Sequence, residues 1–268
     1  VIRDRVISAI LIVALLLVTV LWLPAPWSVA VLSVVLLAAG WEWSGFVSAQ
    51  HYLPRMLFVA ATVALCALWW LASRSPGGLR LLLWAAFACW CLATAWVFVS
   101  PGRAGRAVVA ASGLLALSFA WVALARMRID WEHGRFVVLY ALLIVWLADS
   151  GAYFAGRTWG ARKLAPAVSP GKTWAGFWGG LAVCALLALV TALALRLPPV
   201  SLLVVTVVVG LFSVVGDLTE SLCKRYAGVK DSGSLIPGHG GVLDRFDSLL
   251  AAAPLLMLGL ELVPELRG

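Results

Sequence analysis

Charge is what this sequence has least of: Asp, Glu, Lys and Arg make up 12% of its 268 residues, while 63% are hydrophobic. An average soluble domain is about 25% charged, so a water-soluble globule is excluded and an integral membrane protein is expected. Polar stretches long enough for a separate soluble domain are missing. So are the alternating ten-residue segments of a membrane barrel: the run ISAILIVALLLVTVLWL is continuously apolar. Helices follow, because lipid cannot satisfy open backbone groups. Low-complexity linkers, internal repeats and Rossmann or Walker fingerprints are also lacking. The five cysteines, Cys66, Cys89, Cys91, Cys184 and Cys223, have no metal-ligand spacing and lie in or beside apolar runs. They read as small core residues, which excludes a disulfide framework.

What is present is a series of apolar windows of spanning length, near 6–23, 27–47, 55–73, 79–99, 106–126, 136–156, 174–196, 200–222 and 246–263. The expected fold is all-α and polytopic, with about nine transmembrane helices. The first window follows Arg3 and Arg5 as a signal peptide would, but it is long for one and no small-x-small cleavage site precedes Pro24-Ala25-Pro26, so it is read as a retained helix. The chain begins at Val1, and a few residues are expected to precede it. With the N-terminus inside, thirteen of the twenty basic residues fall on inner segments, among them Arg55, Arg103, Arg106, Arg157, Arg162 and Lys163. Those segments are therefore expected to face the cytoplasm across the cell (inner) membrane. The net charge of +8 and pI near 9.7 fit contact with anionic lipid headgroups, and no nucleic-acid partner is expected. Several of the fifteen tryptophans, Trp27, Trp41, Trp43, Trp131, Trp159 and Trp174, fall near span ends as interface anchors do.

Three places break the apolar pattern. One runs from Ala148 to Gly176, the second from Gly216 to Ser221, and the third from Lys224 to Asp247. Acids at a membrane edge are costly and are functional candidates by default. On a helix Asp217, Glu220 or Ser221, and Lys224 share one face, and Asp244 and Asp247 sit three apart at the start of the last span. If the two spans are neighbours, these carboxylates can converge on one cation. Hard oxygen ligands favour magnesium over zinc, with Asp217, Asp244 and Asp247 as the metal set. The turn Pro237-Gly238-His239-Gly240-Gly241 can bring backbone amides close to an anion, and His239 between glycines is a candidate substrate contact. Ser169, Lys172 and Thr173 precede the seventh span, which would place Lys172 at an anion-binding helix N-terminus. Asp149, in an apolar span, is a ligand, an orienter of Lys172 or a member of a buried pair.

The run Ser221-x2-Lys224-Arg225-x4-Lys230-Asp231-x-Gly233-x2-Ile236-Pro237-x-His239-Gly240-Gly241-x2-Asp244-Arg245-x-Asp247 resembles the signature of phosphatidate cytidylyltransferases, the CDP-diacylglycerol synthases. The SPGKT and DSGAYFAGR segments resemble that family too, so the likeness covers the C-terminal half closely and the first five spans in general character. Cys223 and Ala175 depart from the family pattern without removing a group the chemistry needs. The resemblance implies magnesium-dependent transfer of CMP from CTP to phosphatidic acid, with release of pyrophosphate. It implies that Lys172, Lys224, Arg225 and Lys230 screen phosphates and that Asp231 orients them. Ser169, Thr173, Ser221, His239, Gly240, Gly241, Arg245 and Asp149 would then line the substrates. It also implies a homodimer and potassium as a second ion.

Residues 136–268, with cytoplasmic loops 157–173 and 223–245, form the expected catalytic region. Residues 1–135 would serve as scaffold, lipid entry or dimer contact. Two alternatives stand beside this reading. A CTP-dependent polyprenol or dolichol kinase would leave CDP in place of pyrophosphate. A transporter would carry its charges at the midplane in repeated halves, whereas here they gather at one face of the C-terminal half.

Overall fold

The computed structural model describes residues 2–102, 105–236 and 240–266. Among these, nine long helices follow one another: α1 Ile2–Leu21, α2 Ala25–Val47, α3 Tyr52–Ala72, α4 Pro76–Val99, α5 Arg106–Asp130, α6 Gly134–Trp159, α7 Trp174–Leu195, α8 Pro199–Tyr226 and α9 Leu243–Leu262. The punctuation is local. Pro24, Pro76 and Pro199 sit at or beside helix starts, where a missing N–H costs nothing, and the Ser75 hydroxyl accepts from the Gly78 N–H at 3.1 Å. Helix α8 runs past its expected end at residue 222 and stops only at Gly228, whose φ of 70° gives the left-handed turn that closes a helix. The Gly228 N–H donates to the Arg225 carbonyl and the Val229 N–H to that of Lys224.

Helices α2 to α8 are long and apolar enough to cross a membrane by length and composition, and α1 adds a shorter apolar stretch, Ile10–Leu21. The chain is a multi-pass membrane protein. Helix α9 occupies the ninth expected window but is set apart by its surroundings: it packs against α2, α4, α5, α6 and α8, and Ala251, Ala252, Ala253 and Leu256 on it are fully buried. It is the axis of the bundle.

Between α6 and α7 the expected loop contains a small antiparallel hairpin, β1 Lys163–Ala165 and β2 Ser169–Thr173, with Lys163 opposite Thr173. The two helices flanking it approach through glycines, as small residues allow in membranes. A Cβ on Gly179 would lie 2.2 Å from that of Ala155, and one on Gly180 would lie 2.7 Å from the Ala148 carbonyl oxygen. Gly179→Ala is accordingly expected to destabilise the fold by about 1–3 kcal/mol through overpacking, read as a lowered melting temperature in detergent. The end of the bundle away from the hairpin uses its basic residues structurally. Arg126 donates to Ser73 Oγ and to the Trp70 carbonyl, pairs with Asp130 and lies over the Trp70 ring, while Arg128 donates to the Leu23 carbonyl.

Candidate active site

At the other end, the C-terminal turns of α2, α6 and α8 meet the hairpin and the N-terminus of α9. The face of α8 read from its spacing is present. Ser221 Oγ donates to Asp217 Oδ1 at 3.2 Å, and Lys224, one turn beyond Glu220, pairs with Glu220 at 2.5 Å. Neighbouring α9 closes the pattern, since Lys224 Nζ also donates to Asp244 Oδ1 at 2.6 Å. Lys224 thus bridges two helices.

Lys172 lies just ahead of α7, as its position before the seventh span implies, and is carried there by strand β2. The residue that caps α7 is Thr173, whose hydroxyl accepts from the Gly176 N–H at 3.1 Å. The strand turns the Lys172 ammonium across to α8, where it meets Asp217 Oδ2 at 2.6 Å. Burial alone would lower the Lys172 pKa. The Asp217 carboxylate, with Asp149 and Asp247 farther off, outweighs it and holds the ammonium above the ordinary lysine value. Lys172 therefore stays charged throughout the physiological range.

Beside Lys172 opens a cavity of about 390 Å³ between α6, α7 and α8, with Asp149, Gly156, Arg157, Phe177 and Leu181 among its walls. It is apolar along the helices and charged where it meets the hairpin, a form suited to a molecule with a greasy body and an anionic head. The Asp149 and Asp247 carboxylates lie within electrostatic reach of each other and of Asp217, and Arg245 lies within reach of Asp149. Five carboxylates, Asp149, Asp217, Glu220, Asp244 and Asp247, thus face Lys172, Lys224 and Arg245.

Those carboxylates are not equivalent. Asp244 is filled by protein donors: Lys224 on Oδ1, and on Oδ2 the Ser232 N–H and hydroxyl, both at 3.0 Å, with the Gly241 N–H at 2.9 Å. Burial acts to raise its pKa, but the bonds from Lys224, Gly241 and Ser232 prevail and hold it below the usual carboxylate range. Asp217 and Asp247 are less engaged: Asp247 Oδ1 accepts the Ser248 N–H, and Asp217 has its serine and its lysine. Among the described residues no group of three or more His, Cys, Asp or Glu is disposed as a complete ligand set.

The glycine turn was read as a cradle for an external anion. Among the described residues, its last amide and the two that follow it are directed at internal ones. The Gly241 N–H goes to Asp244, and the Val242 and Leu243 N–H groups go to Glu42 Oε1 and Oε2 at 3.0 and 2.7 Å. Glu42, on α2 and 4% exposed, was not a candidate from sequence. The signal was there, a lone acid in the apolar run Trp41-Glu42-Trp43. Gly240 has a φ of 86° and its backbone carbonyl accepts the Ile236 N–H, while Pro237, Gly238 and the candidate His239 lie outside the described residues. Arg225 braces the hairpin, its Nε donating to the Val168 carbonyl at 3.3 Å. Lys230 and Asp231 are exposed on the loop, Arg245 is exposed on the first turn of α9, and Ser169 opens β2 half-buried.

A model of the cytidylyltransferase family matches residues 3–263 of the chain. A phosphatidate cytidylyltransferase of Haemophilus influenzae is 39% identical over 280 residues, covering 94% of this chain and 96% of that protein. One from Pseudomonas aeruginosa is 36% identical over 260 residues, covering 94% of each. The Bacillus subtilis protein of the same name is 46% identical over 133 residues, 49% of each chain.

Proposed function

The chain belongs to the cytidylyltransferase family, and from that membership we propose that it transfers CMP from CTP to phosphatidic acid, giving CDP-diacylglycerol and pyrophosphate. The observation that carries the reading is the lysine–carboxylate cluster at the mouth of an apolar cavity. A phosphatidic acid molecule fits that shape, with acyl chains along α6 and α7 and its phosphate monoester beside Lys172. The reaction forms a bond from a monoester oxygen to the α-phosphorus of CTP and breaks the bond to the β-phosphate oxygen. The leaving pyrophosphate carries away the electron pair.

An ionised monoester is already nucleophilic, so the protein's task is to position two polyanions and offset their repulsion. Lys172 neutralises the lipid phosphate and Lys224 the nucleotide side, each held in place by a carboxylate. A magnesium ion, held by Asp217 and Asp247, would supply the remaining positive charge on the phosphates. Asp244 keeps Lys224 and the glycine turn in register. Lys230, Asp231 and Arg245 would meet CTP arriving from the cytoplasm, a side that the distribution of basic residues supports. A homodimer and a second, potassium ion belong to the same reading. So does the division into a catalytic region after residue 135 and a supporting one before it.

Purified protein given CTP and phosphatidic acid is expected to release pyrophosphate and CDP-diacylglycerol in equal amounts, with loss of both on magnesium chelation. CDP in place of pyrophosphate would make the chain a lipid kinase. Undiminished turnover in chelator would remove the metal from the scheme.

A further inference from the structure

We infer that Glu42 is a positioning residue for the transfer reaction, reaching from α2 in the N-terminal half to fix the turn that delivers Asp244 to Lys224. The inference rests on the cytidylyltransferase reading for the reaction and on geometry for the role. Glu42 is nearly buried in an apolar helix, a location where a carboxylate is costly unless donors surround it. Three donors do: the Val242 N–H on one oxygen, and the Leu243 N–H and Ser232 hydroxyl on the other. Val242 and Leu243 begin α9, so the carboxylate also sits at the positive end of that helix dipole.

The Ser232 hydroxyl lies 3.0 Å from both Glu42 Oε2 and Asp244 Oδ2. Its single proton is shared between the two carboxylates as a bifurcated bond, which keeps them side by side while each takes its own backbone amides. The fit leaves no slack. A Cβ on Gly241 would lie 2.0 Å from Ser232 Oγ and 2.4 Å from Glu42 Oε2, and one on Gly233 would lie 2.5 Å from Glu42 Oε1. The two glycines are therefore required by the carboxylate from α2, and the turn's sequence is written around it. Asp244 in turn holds Lys224, so a shift of the turn moves the ammonium that meets the nucleotide. The lipid cavity, walled by α6, α7 and α8, is not touched by Glu42.

Glu42→Gln preserves shape but replaces one acceptor oxygen by an NH2 group that cannot accept the amide or hydroxyl facing it. The expected result is a fall in kcat on the order of 10²-fold, the scale of a misplaced reacting group. KM for phosphatidic acid should stay within about threefold of wild type, because the lipid cavity is unchanged. Hydrogen exchange at Val242 and Leu243 should quicken by at least about tenfold at an unchanged melting temperature, which a filler role would not produce. A kcat within about threefold of wild type overturns the inference, as does a kcat loss with no change in loop exchange. If Glu42→Gln does not accumulate as folded protein, Ser232→Ala decides: faster loop exchange with several-fold lower kcat supports the role, and wild-type values for both overturn it. Wild-type protein that makes no CDP-diacylglycerol would fail the functional reading, while the exchange comparison would still decide the role of Glu42.

Discussion

Lys224→Met is expected to reduce CDP-diacylglycerol formation on the order of 10³-fold, the scale of losing a charge aimed at the reacting phosphates. The same change should lower stability by about 3–5 kcal/mol, because it leaves Glu220 as a buried carboxylate without its cation. Glu220 is fully buried on α8, and Lys224 is its ion-pair partner. The two effects separate in the double variant Glu220→Gln/Lys224→Met, which removes the stranded charge along with the lysine. Melting should return toward wild type while turnover stays lost. Lys224→Arg should give an intermediate rate, since a planar guanidinium replaces an ammonium that donates to Glu220 and Asp244 at once. Product formation by Lys224→Met within tenfold of wild type would assign the residue to architecture alone.

Asp217→Asn should cost a similar factor in turnover, on the order of 10³-fold, with little loss of fold. The amide keeps an oxygen for the Ser221 hydroxyl, so the side chain stays in place. What changes is charge: Lys172 loses its nearest counter-ion and the proposed metal loses one of two ligands. Pyrophosphate release measured across a magnesium titration reads both, and the concentration for half-maximal activity should rise in the variant. Wild-type turnover at wild-type magnesium would move Asp217 out of the reaction. Asp244→Asn should behave differently, since Asp244 is saturated by protein donors. Its damage should resemble that of Glu42→Gln, with little change in the magnesium requirement.

Most of the architecture was legible because one solvent decides it. In lipid a continuous apolar run of 20 residues has hardly any alternative to a helix, and composition alone yields the spans. The Asp217, Ser221 and Lys224 face was legible for a related reason: it lies within one helix, where spacing fixes direction. The hairpin was not. Its strands are three and five residues long and one contains Pro170-Gly171, so neither shows an alternation to read. The place of Lys172 just before α7 is legible, while the strand that turns its ammonium toward Asp217 is not. Glu42 escaped for a different reason. Its donors lie some 200 residues away, and the contact joins segments that no local spacing relates. The glycine turn was correctly read as a place where amides meet an anion. For Gly241, and for Val242 and Leu243 just after the turn, the anions are two of the protein's own carboxylates, which spacing within the turn does not reveal.

The enclosure of α9 has a consequence for how the molecule comes to exist. Synthesis runs from the N-terminus, and eight helices precede the one that forms the axis of the bundle. Until it emerges Lys224, already made, has Glu220 but not Asp244. The last long helix closes the core and, in the same movement, brings the aspartate that sets the lysine.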